Sequence, residues 1–189
     1  MFLGCDTETT GLKPAEGLLL EVAIVVTDND LNVQAQGSWL WPQSAQQAWD
    51  LADDYVRGMH TKNGLWVDLA AQEQQVKDAG LTLADARARL EDHILSWLTS
   101  VNVYGQNLEP MLCQGGSFDA HWLEVHAPKL RKLWNHRVHD VSGLKRLAEL
   151  WYGAKAPRFA PAEGTKHRAL DDILHTVSTL RWAREVCFK

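Results

Sequence analysis

The first apolar run of the chain, Phe2-Leu3-Gly4-Cys5, leads straight into Asp6-Thr7-Glu8 and then Thr9-Thr10-Gly11-Leu12. Residues 2–6 read as a short buried strand, with Gly11 and Pro14 breaking the chain after it. Leu18 to Thr27, rich in Val, Leu and Ile, predicts a second strand. Asp28-Asn29-Asp30 marks a turn, and Leu31 to Trp41 predicts a third strand. Strands joined by so short a turn pair most simply as antiparallel neighbours. Glu21 sits inside the second strand, and the pattern leaves two readings open: a buried site residue or an acid at a strand end.

From Ser44 to Gly80 the apolar positions turn helical but irregular. Thr82-Leu83-Ala84-Asp85 resembles a capping box with Asp in the place of Glu. Leu83, Ala86, Leu90, Ile94, Trp97 and Leu98 then follow helical spacing, predicting a helix that ends near Thr99. Met111-Leu112-Cys113 predicts a fourth strand, broken by Gln114-Gly115-Gly116. Ser117 is placed to cap a helix carrying Phe118 and Asp119, and Pro128 stops or kinks it. Arg137 to Asp140 predicts a short fifth strand. Val141 to Tyr152 predicts an amphipathic helix closed by Gly153. A loop spans 154–166, of the kind that often carries function, and a last helix runs from about Arg168 to Val186. Strands first, then alternating helices and strands, predict one α/β domain over 1–189 with a mixed sheet of about five strands flanked by helices.

At 189 residues the chain suits a single core. A net charge of −5 supplies no global basic field for long duplex nucleic acid. It leaves room for an enzyme on short strands whose bound cations provide positive charge locally. The three cysteines have no metal-ligand spacing and fit reduced thiols in a cytoplasm. No stretch is long enough to span a membrane, and no targeting signal is expected. The nine tryptophans are mainly expected in packing roles.

Asp6 and Glu8 stand i, i+2, so on a strand both carboxylates point to one face. Converging carboxylates repel unless a cation sits between them, and Mg²⁺ and Mn²⁺ prefer such oxygens. Asp119 lies at a helix start after a Gly-rich break. His167-Arg168-Ala169-Leu170-Asp171-Asp172 opens the last helix. At about 100° per residue, i and i+5 diverge by roughly 140°. His167 therefore shares a site with Asp172 only if it lies in the loop before the helix, and Asp171 would be its partner if His167 were helical. Spacing alone leaves both open.

Taken together, Asp6-x-Glu8 with Thr9-Thr10-Gly11-Leu12, Phe118-Asp119 and His167-x-Ala-Leu-x-Asp172 resemble the three motifs of the DEDDh 3′→5′ exonucleases. That superfamily has a ribonuclease H-like fold. Within it the chain is most similar to oligoribonuclease, through Asp53-Asp54-Tyr55, His60-Thr61-Lys62-Asn63-Gly64-Leu65, His136-Arg137-Val138-His139-Asp140-Val141-Ser142 and Gly164-Thr165. The resemblance implies hydrolysis of short single-stranded RNA to mononucleotides. A proofreading-type or general exonuclease on single-stranded DNA is the alternative.

The resemblance further implies that Asp6, Glu8, Asp119 and Asp172, rather than Asp171, hold two divalent cations, Mg²⁺ or Mn²⁺, with His167 as general base. It implies that Leu12 wedges between the terminal bases, that Tyr55 stacks on one with His60 beside it, and that the protein is a homodimer. A partner-subunit Tyr with a neighbouring Arg and Ser caps the 5′ end in that family, and His136, Arg137 and Ser142 stand at those positions. The chain departs from the family pattern in three places: His136 replaces the Tyr, the segment before Asp119 is shorter, and Lys166 is inserted before His167.

Overall fold

A computed structural model describes residues 1–106, 108–153 and 166–186. The predicted loop, apart from Lys166, the Gly164-Thr165 pair and Cys187 lie outside these residues. The chain opens with three strands, β1 (Phe2–Thr9), β2 (Leu19–Thr27) and β3 (Val33–Leu40). Four helices follow: α1 (Ala45–Leu51), α2 (Asp54–Lys62), α3 (Leu65–Asp78) and α4 (Leu83–Ser100). The second half alternates: β4 (Met111–Cys113), α5 (Phe118–His126), α6 (Pro128–Arg131), β5 (Val138–Asp140), α7 (Ser142–Tyr152) and α8 (Ala169–Val186).

The sheet order is β3-β2-β1-β4-β5. β1, β2 and β3 pair antiparallel, whereas β4 lies parallel to β1 and β5 parallel to β4. β2 reads as a continuous apolar run because helices cover both of its faces. Val22, Ile24 and Val26 enter a core with Ile94 and Leu98 of α4 and Trp122 and Leu123 of α5. Ala23 and Val25 enter a second core with Ile173 and Val177 of α8. Each fully buried Leu or Ile here contributes roughly 1.5–3 kcal/mol.

Three local expectations need correction. β1 does not stop at Asp6 but continues to Thr9, because Glu8 still pairs with Glu21 and Thr9 with Leu19, past a register shift. The carboxylates are thus inside the strand and share its rigidity. The Thr82 hydroxyl accepts from the Asp85 N–H at 3.1 Å, but the Asp85 carboxylate bonds that same hydroxyl, so the reciprocal half of the box does not form. Ser117 occupies the N-cap of α5 without a side-chain capping bond.

Trp41, Trp122 and Trp134 are fully buried, as packing residues should be. Trp151 is not a packing residue within this chain, being 70% exposed on α7.

Candidate active site

The alternation of β1 divides its side chains between two environments. Leu3 and Cys5 enter the core under α4 and α5, whereas Gly4, Asp6 and Glu8 share the opposite face. Gly4 makes that face usable. A Cβ there would lie 2.9 Å from Ile173 Cδ1, so a larger residue would require the Ile173 side chain to shift away from the strand. Seated against β1, α8 brings Asp172 beside the two strand acids. One oxygen from each of Asp6, Glu8 and Asp172 lies within 4.8 Å of the others.

Asp119, in the first turn of α5, approaches from the other side of the strand; it is not one of the three acids whose oxygens lie within 4.8 Å of one another, but its charge acts on Asp6. It is buried, and its Oδ1 accepts from the Thr7 N–H at 2.9 Å and the Thr7 hydroxyl at 2.7 Å. Thr7 lies between the two acids in sequence and so points to the opposite face, where it anchors a third acid. Nothing in the composition of Asp6-Thr7-Glu8 advertised that role beyond the alternation itself.

The electrostatics follow from crowding negative charge in a buried place. Burial, then the neighbouring Asp119 and Glu8 carboxylates, holds the Asp6 carboxyl well above the usual range. Glu8 is pushed up to about 8, by burial first and then by Asp172 and Glu21. Burial lifts Asp119 to about 6 against the two Thr7 hydrogen bonds, which favour its ionised form. Asp172 is raised by burial while His167 pulls it down. Its Oδ1 is buried without a hydrogen-bond partner. An orphaned carboxylate oxygen among hard oxygen donors fits a divalent cation of the Mg²⁺ or Mn²⁺ type.

His167 lies in the turn before α8, with φ +52°. The divergence of i and i+5 along a helix therefore does not apply, and its Nδ1 stands 4.0 Å from Asp172 Oδ2. Asp171 turns to Lys166 instead, at 3.6 Å. A left-handed non-glycine residue costs about 1–3 kcal/mol, so its surroundings have to hold it. Glu21 supplies part of that hold. Its Oε2 accepts from Arg168 Nε at 3.0 Å and the Ala169 N–H at 3.2 Å, and its Oε1 from Arg168 Nη2 at 3.1 Å and the Ser38 hydroxyl at 2.7 Å. Arg168 also reaches Asp68 at 2.9 Å. Glu21 is thus a buried acid whose hydrogen bonds are spent pinning the start of α8.

A cleft of about 680 Å³ opens beside His167, with Tyr55, Met59 and Lys62 of α2 on its wall. Tyr55 is 72% exposed there, and Leu12 is 84% exposed in the loop after β1. His60 is placed differently from the expected neighbour of Tyr55. It is fully buried beneath α2, with Nε2 3.6 Å from Glu8 Oε2 and its ring edge-on to Trp66. Burial pushes its pKa down to about 4, although the Thr9 carbonyl works the other way. The imidazole is therefore neutral.

The structure does not bring His136 and Arg137 to this cleft within one chain. Val138 pairs with Met111 and Met111 with Leu3, so Arg137 lies two strands from β1, level with its beginning. That is roughly 13–20 Å back along the strands from Asp6 and Glu8. The Ser142 hydroxyl is bound to Asp140, 2.8 Å from both carboxylate oxygens.

Residues 3–180 match the family model described as Exonuclease (RNase_T), and the chain belongs to that exonuclease family, with the chemistry of a 3′→5′ exonuclease hydrolase. Within it the chain is similar to the oligoribonucleases. That of Cutibacterium acnes is 35% identical over 98% of this chain and 85% of its own length. That of Thiobacillus denitrificans is 33% identical over 97% and 92%, and the mitochondrial oligoribonuclease of Mus musculus is 33% identical over 97% and 72%.

Among solved structures, S. pombe Pop2p in its Mg²⁺- and Mn²⁺-bound form superposes with a TM-score of 0.63 at 13% identity, over 99% of this chain and 84% of that one. E. coli Exonuclease I in complex with a dT13 oligonucleotide gives 0.51 at 15% identity, over 98% of this chain and 41% of that one. These likenesses show the fold, a mixed five-stranded ribonuclease H-like sheet flanked by helices.

Proposed function

We propose that this chain is a single-domain 3′→5′ exoribonuclease that degrades short single-stranded RNA to 5′-mononucleotides with two divalent cations held by Asp6, Glu8, Asp119 and Asp172. The observation that carries the reading is the meeting of three carboxylates within 4.8 Å of one another beside His167, at the mouth of a cleft. Burial and mutual repulsion raise their proton affinities, as expected of acids that a cation would stabilise. Bound there, the cations would supply activation of a water and neutralisation of the leaving oxygen.

The residues of the chain do the rest. Asp172 Oδ2 lies 4.0 Å from His167 Nδ1, and His167 Nε2 would take the proton of the attacking water. His167 is 44% exposed at its side chain, so that proton has a path to solvent. Tyr55 and Leu12 offer exposed apolar faces for the terminal bases. Such stacking is worth about 1–3 kcal/mol per base and is indifferent to base identity. His60, from below, supports Glu8 rather than touching a base directly.

His136 and Arg137, with Ser142, would act on the 5′ end from a second copy of the chain. That assignment fits both their distance from the cleft in one chain and the apolar surface left on α7. The free thiols Cys5 and Cys113 fit a reducing cytoplasm, and no helix among the described residues is long and apolar enough to cross a membrane.

Hydrolysis of a dinucleotide RNA and of a longer single-stranded DNA, compared in the same Mn²⁺ buffer, tests the proposal. Faster turnover of the RNA dinucleotide is expected. Equal or faster hydrolysis of the DNA would make the protein a general exonuclease instead.

A further inference from the structure

The left-handed turn that carries His167 is held from one side by Glu21 through Arg168. From the other side it rests on a single residue of the α2–α3 corner. Asn63 ends α2, with its N–H donating to the Met59 carbonyl at 3.3 Å. Its side-chain Oδ1 accepts from the Leu65 N–H at 3.0 Å and so starts α3. Its side-chain Nδ2 also reaches a segment more than a hundred positions later. There it donates to the His167 carbonyl and lies 3.4 Å from the Lys166 carbonyl. The backbone carbonyl of Asn63 in turn accepts from Arg168 Nη1 at 3.5 Å. Three consecutive residues, 166 to 168, thus dock on one asparagine. The same Nδ2 lies 3.3 Å from His60 Nδ1, and the other nitrogen of that ring faces Glu8. One amide therefore stands between the turn bearing His167 and the residue supporting Glu8.

We propose that Asn63 is a positioning residue for the reaction, its side-chain amide holding the backbone of His167 so that the imidazole stays over the carboxylate ring. This rests on the role of His167 argued above. The two ends of the Asn63 side chain do separable work. Oδ1, an acceptor, serves the architecture at the start of α3. Nδ2, a donor, serves the turn. Asn63→Asp keeps the size and the acceptor for the Leu65 N–H. It replaces the donor with an oxygen that faces the carbonyls of His167 and Lys166. Asn63→Ala removes both functions.

If the amide positions His167, both variants lower kcat for a dinucleotide by about 10-fold or more, the scale of a small misplacement of a catalytic group. KM and the affinity for Mn²⁺, read by titration without substrate, stay within about threefold of the parent. Asn63→Asp is expected to keep the melting temperature of the parent, whereas Asn63→Ala lowers it. Were the residue merely architectural, Asn63→Asp would turn over like the parent and only Asn63→Ala would suffer, which would overturn the inference.

His167→Ala and the double variant Asn63→Asp/His167→Ala complete a cycle. The double variant is expected to be no slower than His167→Ala alone, because the amide acts through the imidazole. A further 10-fold loss in the double variant would show Asn63 acting elsewhere. Wild-type turnover of His167→Ala would instead remove the underlying assignment of the general base, an outcome distinct from failure of Asn63 alone.

Discussion

The carboxylate end of β1 and the outer β5–α7 edge are built on opposite principles. At the first, side chains from β1, α5 and α8 converge in a buried place, and most polar groups have named partners: Asp119 on Thr7, Glu21 on Arg168 and Ala169. At the second, β5 is a three-residue edge strand, and α7 exposes Leu150 at 62% and Trp151 at 70%. His136 and Arg137 stand exposed at the start of that edge. Under the proposed function, the chemistry would be assembled within one chain and recognition of the far end of a substrate would not. Edge strands and apolar helix faces left uncovered are surfaces that a second molecule completes.

The largest effects should come from the buried end. Asp172→Ala is expected to lower turnover by about 10³-fold or more, as loss of a member of a concerted catalytic group does. Asp171→Ala, which breaks only a pair with Lys166, should stay within about twofold of the parent. Matched rates for the two variants in a dinucleotide assay would erase the distinction between them.

His167→Ala should retain Mn²⁺ binding while losing about 10²-fold or more in kcat, the scale for a lost general base. Unchanged turnover would move the proton elsewhere.

At the exposed edge the expected effect is smaller and of another kind. Trp151→Asp should reduce the mass measured by sedimentation equilibrium and raise KM for short RNA by about 10-fold, a loss of roughly 1.4 kcal/mol of binding, with Mn²⁺ affinity unchanged. An unaltered mass would separate this face from assembly.

A last expected effect is a pH dependence of stability without metal. Glu8 and Asp119 are held at about 8 and about 6 in the folded chain, against about 4 in an unfolded one. Between those limits the folded state binds more protons than the unfolded state. The stability contributed is whole below about pH 4 and is lost as pH rises toward 8. Melting temperature in EDTA should fall across that window, and Mg²⁺ should flatten the fall by taking the place of the protons. A fall of the same size with Mg²⁺ present would mean that the ring does not bind it.

Much of the buried end was legible from residues close in sequence. The i, i+2 spacing of Asp6 and Glu8 on a strand is a local rule, and the apolar periods of β2 and α4 are local as well. Spacing could not choose between Asp171 and Asp172, because the answer depends on His167 leaving the helix with φ +52°. The hydrogen bonds that meet that turn come from Glu21 and Asn63, which are remote in the chain. Glu21 stayed ambiguous for the same reason, since its meaning is its partner 147 positions away. The burial of His60 was not legible, because a helical position near a Tyr does not reveal which face of α2 packs down. Capping at Ser117 failed where a Gly-Gly turn with positive φ at Gly115 and Gly116 redirects the chain ahead of α5. Local chemistry thus announced which residues could react, and tertiary hydrogen bonds decided how they are aimed.

The account depends most on the carboxylate ring being a cation site. Anomalous diffraction from crystals soaked in Mn²⁺ reads this directly. Density enclosed by Asp6, Glu8, Asp119 and Asp172 is the result predicted. Crystals that take up Mn²⁺ elsewhere and leave that ring empty would contradict it.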